Sequence, residues 1–150
     1  MATYTGDTTG NYSSDLPATA FFPSLKIADF QQMFAFKDTF SEEAILQQMK
    51  VDRVSIHKEL SLLVSTYSTL EAMSQTIFSD DTTAATLYQQ AVFCLTASNL
   101  IGNRMATDAT KDGADRQQAL IERKDHLLDM FRRAIDQLKP DSTGYTMKVV

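Results

Sequence analysis

SEEAILQQMKVDRVSIHKELSLLVST, residues 41–66, decides the fold class. Ser41 stands where its hydroxyl can cap the next turn, Glu42 and Glu43 place carboxylates at the positive end of a helix dipole, and Phe40 can staple onto Ile45. From there Ile45, Met49, Ile56, Leu60, Leu63 and Tyr67 recur at helical spacing, interrupted at Asp52 or Arg53. The stretch predicts a helix over 42–66. Working outward, proline falls only at 17, 23 and 140, so the 116 residues from 24 to 139 contain none, and glycine appears there only at 102 and 113. Helices are therefore expected throughout the middle of the chain.

Upstream, Ile27, Phe30 and Phe34 predict a short helix over 25–35, with Ser24 as its N-cap after Pro23. Downstream, 67–80 reads as a packed loop, because its second half is polar and acid-ended with Ile77 and Phe78 inside. A third helix starts after Ser79 or Asp81 and carries Leu87, Ala91, Cys94, Ser98, Ile101 and Met105 on one face. The small residues let a neighbour come close, so this helix is expected to be the central, most buried one. Gly102 costs about 1 kcal/mol relative to alanine in a helix interior and marks a close contact or a kink. A fourth helix follows Gly113, with Leu120, Leu127, Phe131, Ala134 and Leu138 in register, and Pro140 closes it.

The ends differ in character. Residues 1–20 hold five threonines and no Lys or Arg, and 145–150 alternate in a way that favours extended structure, which needs a partner to become a strand. The expected architecture is all-α, a small bundle of about four helices with an extended N-terminal arm and a short C-terminal strand or arm. The expected division is an arm at 1–20, a helical domain at 21–140 and a second arm at 141–150. An arm with little core of its own gains order on a neighbour, so both ends point to assembly.

At 150 residues, 43% hydrophobic and 22% charged, the chain is expected to be one soluble domain. Its longest apolar runs are a few residues, far short of the roughly 20 a bilayer span needs, and the first basic residue is Lys26, unlike a signal peptide. One cysteine, Cys94, fits a reducing cytosol and a place in the core. The net charge of -5 argues against tight, sequence-independent binding to nucleic acid, which rests on Lys and Arg neutralising phosphates.

Little chemistry is visible. His57 and His126 sit beside Lys58 and Asp125 on charged helix faces and read as solvated surface residues. His57 and Glu59 are two apart and do not share a helix face, so no zinc pair follows, and no metal or cofactor is expected. Phosphate loops, nucleophile elbows and Cys-His pairs are not seen, so no catalytic residue is assigned and the chain is not expected to be an enzyme. The acid pairs Glu42-Glu43 and Asp80-Asp81 fall at helix starts, where carboxylates favour the dipole. Arg116, Arg123, Lys124, Arg132 and Arg133 are interleaved with Asp115, Glu122, Asp125 and Asp129, the pattern of a salt-laced exposed helix.

The order of features carries a resemblance: Phe21-Phe22-Pro23 and a short helix, a long helix from Ser41, Asp80-Asp81 before a helix with Tyr88-Gln89-Gln90-Ala91-Val92, Arg104 leading to Asp108-Ala109-Thr110 and Gly113, then Arg132-Arg133-Ala134-Ile135 and a Val-Val end. From Phe21 onward this resembles the head completion proteins of contractile-tailed temperate phages, departing at Met105, where an aromatic would be expected. The resemblance implies a connector subunit that joins the portal after DNA packaging, in a twelvefold ring, and offers a surface to the next neck or tail terminator protein. Its place would be the neck of the virion, after synthesis in the host cytoplasm, with packaged DNA met only in the channel and no membrane contact. Phe21, Phe22, Tyr145, Met147, Val149 and Val150 are the expected portal or subunit contacts, and Asp80, Asp81, Asp108 and Asp112 the expected channel-facing acids. The alternatives are a DNA-binding packaging protein such as a small terminase subunit, a cellular helical-bundle enzyme and a generic helical adaptor. The first would need a recognition helix with a basic face, which is not seen.

Overall fold

A computed structural model describes residues 12–34, 40–107 and 114–139. The expectations for 1–11 of the N-terminal arm, for Ala35, for Asp108 and Asp112, and for Tyr145, Met147, Val149 and Val150 lie outside them. Among the described residues the protein is all-α with one minimal ladder: β1 (Asp15–Leu16), β2 (Leu25–Lys26), α1 (Ile27–Phe34), α2 (Glu42–Glu59), α3 (Ser61–Thr66), α4 (Leu70–Phe78), α5 (Thr83–Thr107) and α6 (Ala114–Leu138).

α5 is the axis of the molecule. Ala91, Val92, Phe93, Cys94, Thr96, Ala97 and Ser98 are all fully buried, so the helix is covered on almost every side, as its small residues foretold. α2, α4 and α6 all pack on it. Tyr88, Asn99 and Asn103 of α5 bond to His57, Asp52 and Gln48 of α2, so the two helices run antiparallel. Gly102 is a close contact and not a kink: a Cβ there would lie 2.9 Å from Lys124 Cε, the flexible side chain that α6 lays across it.

α2 begins as expected, with Ser41 Oγ accepting from Ala44 N at 3.1 Å. It does not reach residue 66. The backbone leaves the helix at Leu60 (φ -97°, ψ 16°), and α3 starts there without a side-chain cap. Leu60 and Leu63 both stay buried, so the apolar period survives the break and conceals it.

The segment expected to be a loop is largely helix. Thr69 Oγ1 caps α4 by accepting from Ala72 N at 3.0 Å, and Leu70, Met73 and Ser74 are its buried face. Ser79 ends it in the left-handed region at φ 66°, the place glycine usually takes. Ser74 Oγ accepts from Ala84 N at 3.0 Å and ties α4 to the start of α5. The count therefore rises from about four helices to six.

The N-terminal segment departs most. Leu16 is fully buried and pairs with Leu25, whose strand geometry delays α1 to Ile27, so Ser24 is not its cap. Residues 12–20 hold no helix and only the two-residue β1, and through Leu16 they share the core of the helical body.

Candidate functional site

Residues 12–26 form a strap tied by three hydrogen bonds to two elements, α1 and α2. Tyr12 N donates to Gln31 Oε1 of α1 at 2.7 Å, Ser14 N to Glu42 Oε2 of α2 at 2.9 Å, and Arg53 Nη1 of α2 to the Pro17 carbonyl at 2.7 Å. The bond from Ser14 holds the Glu42 carboxyl below its usual range. A turn at 19–22, closed by Thr19 N to the Phe22 carbonyl and by Phe22 N to Thr19 Oγ1, then drives Phe22 inward.

Phe22 ends in an aromatic stack. Its ring lies 4.1 Å from the His57 ring at 14° and 4.7 Å from the Tyr88 ring at 22°, and His57 Nε2 is 2.8 Å from Tyr88 Oη. His57 is thus half-buried, not a solvated surface residue, and burial, with the Arg53 charge beside it, pushes its pKa down to about 4. Phe22, 3% exposed, is spent on the chain's own core, which leaves Phe21 as the partly exposed member of the expected interface pair. His126 is exposed, as expected.

Phe21, Phe22 and Asp81 come together. With Thr19, Pro23, Leu70, Glu71 and Ala85 they line a crevice of about 200 Å³ between the strap and the first turns of α4 and α5. Asp80 is otherwise engaged: Oδ1 accepts from Thr82 N and Thr83 N at 2.9 and 2.7 Å, and Oδ2 from Thr83 Oγ1 at 2.6 Å. These bonds hold its carboxyl below the usual range and start α5, so its job is local. A wider groove of about 550 Å³ lies at the other end of α5, lined by Phe40, Gln47, Gln48, Asn103 and Arg104 among others.

The break in the apolar face of α2 proves to be a buried carboxylate. Asp52 is 3% exposed; Oδ1 accepts from Gln48 Nε2 at 3.0 Å and Asn99 Nδ2 at 2.8 Å, and Oδ2 has no hydrogen-bond partner among the described residues. Burial raises its pKa, opposed by Gln48, Asn99 and the nearby Thr96 hydroxyl, which closes no hydrogen bond. No group of three or more His, Cys, Asp or Glu among the described residues is placed to hold a metal ion, and no described helix is long and apolar enough to cross a membrane.

α2 has a second face that the core period does not reveal. Val51 and Val54 are 54% and 55% exposed, Leu62 on α3 57%, and Lys50 and Lys58 flank them. The sequence does carry a signal for it, because residues 50, 51, 54, 58 and 62 form a helical stripe of their own, offset from the core stripe.

In comparison with known families, the model described as "Phage head completion protein (GPL)" matches residues 16–148. No curated protein and no solved structure matched.

Proposed function

Because the chain belongs to the phage head completion protein family, a structural family of the virion's head-tail junction, we propose that it is the connector subunit that seats on the portal ring after packaging, stabilises the filled head and presents the tail attachment surface. The observation that carries this reading is the match over residues 16–148, which takes in the strap from Leu16 on, the six described helices and most of the C-terminal segment. In the neck the subunits form a closed ring, dodecameric to match the portal, whose contacts are heterologous as cyclic symmetry requires. The portal, the next neck or tail terminator protein and neighbouring copies are the partners.

Two features support that role. The strap is tied to α1 and α2 by three hydrogen bonds, which favours a helical body that packs against its neighbours as one wedge. Residues 141–150 follow Pro140, beyond the end of α6, and their sequence alternates so that an extended conformation would put Tyr145, Met147 and Val149 on one face. They dock on the portal as an added strand or clamp, and Phe21 contributes from the strap crevice. Asp81, Asp108 and Asp112 line the channel and repel DNA in passage. Asp80 leaves this set, because its carboxylate caps α5.

The test is co-sedimentation of the full chain, and of a chain ending at residue 140, with portal rings from the same phage. The full chain is expected at about one copy per portal subunit, and the truncated chain is expected to stay folded but unbound. A full chain that ignores portals competent for other neck proteins would sink the proposal. Equal binding by the truncated chain would sink the clamp.

A further inference from the structure

Resting on that connector reading, we infer that copies of this chain join head to tail through the outer stripe of α2–α3 in one copy and the outer stripe of α6 in the next. The argument begins with the basic residues in the middle of α6. Arg123 turns to the Phe34 carbonyl of α1, at 3.2 Å, and Lys124 lies across Gly102 of α5. Arg123 stays exposed as it reaches across, and beside it and His126 the outer face carries Glu122, Asp125 and Asp129 at i, i+3 and i+7, with Ile121 39% exposed next to them. Asp129 also meets Arg133 one turn on, at 2.9 Å, an exposed pair, whereas Glu122, which accepts from Gln118 Nε2 at 3.3 Å, and Asp125 meet no cation among the described residues. The helix read from sequence as salt-laced and exposed therefore has its charges sorted over 121–129: Arg123 and Lys124 reach sideways to α1 and α5, and the acids form a stripe of their own.

The α2–α3 stripe is its counterpart. Lys50 and Lys58 are exposed and in no ion pair among the described residues, and between and beyond them stand Val51, Val54 and Leu62, each more than half exposed. At about 1.5 Å per residue the two lysines lie about 12 Å apart along their helix, and Glu122 and Asp129 about 10 Å apart along theirs. Charge, length and a small apolar centre match. The two stripes lie on separate helices, each packed on α5, so one copy can offer them to two neighbours at once. That is the heterologous arrangement that closes into a ring or runs on as a filament, whereas an isologous contact stops at a dimer. Rim ion pairs contribute little each, so a single contact is weak and sensitive to salt.

The experiment is a charge swap on the full chain, read by sedimentation at low salt across a wide concentration range, with and without portal rings. The parent is expected to associate past the dimer. Lys50→Glu with Lys58→Glu, and Glu122→Lys with Asp125→Lys, are each expected to sediment as monomers alone and to recover association when mixed, because each altered stripe then meets its complement. As a second measurement, Val54→Cys and Ile121→Cys in one chain should give an oxidised ladder beyond the dimer, and either alone no ladder. The native Cys94 is buried, its pKa pushed up to about 11, and stays out of the reaction. A parent that stays monomeric under both conditions, variants that associate as the parent does, or a mixture that fails to recover would each overturn the inference. Association without portal binding would leave this interface standing and remove the connector reading instead.

Discussion

The stack of Phe22, His57 and Tyr88 makes the attachment of the strap depend on pH. In the folded protein His57 is held neutral, its pKa near 4 against a usual 6.5. A depressed folded pKa means that the unfolded chain binds the proton first. The stabilisation is therefore complete above pH 6.5 and is lost as the pH falls from there towards 4. At about 1.4 kcal/mol per pKa unit, a fully dehydrated imidazole would lose about 3 kcal/mol over that window. The ring is only half-buried, and solvent screening brings the expected loss to about 1–2 kcal/mol. Urea unfolding at a series of pH values from 7 to 4.5 should show the parent losing that much more than His57→Gln, in which nothing titrates at the position. In a His126→Gln background the one remaining imidazole can be followed by NMR, and Phe22→Leu, which keeps most of the volume but not the stack, should raise its midpoint. A midpoint of 6 or above in the parent, or equal pH slopes for parent and His57→Gln, would refute the reasoning.

The geometry sets three further outcomes. Asp52→Asn keeps the acceptor for Gln48 and Asn99, removes a buried charge and gives the Thr96 hydroxyl a donor; it should stabilise by about 1 kcal/mol at pH 7 in urea unfolding. That gain should shrink as the pH falls through the raised pKa of Asp52, because protonation then relieves the parent of the same charge. Ser79→Gly relieves a left-handed residue at the end of α4 and should raise the thermal midpoint through about 0.5–1 kcal/mol. Gly102→Ala should be neutral or stabilising by up to about 1 kcal/mol, since only the tip of Lys124 has to move; a loss of more than that would mean the α5–α6 contact is rigid there.

The long helices are legible in the sequence because burial is written into their period: the buried residues of α2 and the nearly continuous burial of α5 follow directly from residue types. The break at Leu60 is not, since no glycine or proline marks it and the apolar spacing runs through unchanged. α4 escapes the pattern for the opposite reason. Its polar half hides a good cap, Thr69, and the buried Ser74 is there to bond Ala84 N, a contact ten residues away that local pattern does not show. His57 looks solvated because its sequence neighbours are charged, while its partners, Phe22 and Tyr88, lie 35 and 31 residues distant. Of the expected site, Phe21, Phe22 and Asp81 do converge on one crevice, and Asp80 shows how a single residue's step along the chain separates a helix cap from a crevice-lining acid.

The placement of charge bears on whether an acidic subunit can associate with its own kind. An even scatter of a net -5 would repel other copies as well as nucleic acid. Here Arg123 and Lys124 of α6 reach sideways, to a carbonyl of α1 and across a glycine of α5, while Lys50 and Lys58 of α2 stand around exposed valines. Separation of the signs onto different faces lets the molecule keep a repulsive sum and still hold locally complementary patches. Because those patches lie on helices gathered around one buried axis, their spacing is fixed by α5, and the side chains that set it, Gly102 and the Asp52–Asn99 pair, lie inside the body and not on its faces. A side chain larger than alanine's at Gly102, to which the tip of Lys124 alone could not yield, would therefore be expected to change assembly geometry without altering either stripe.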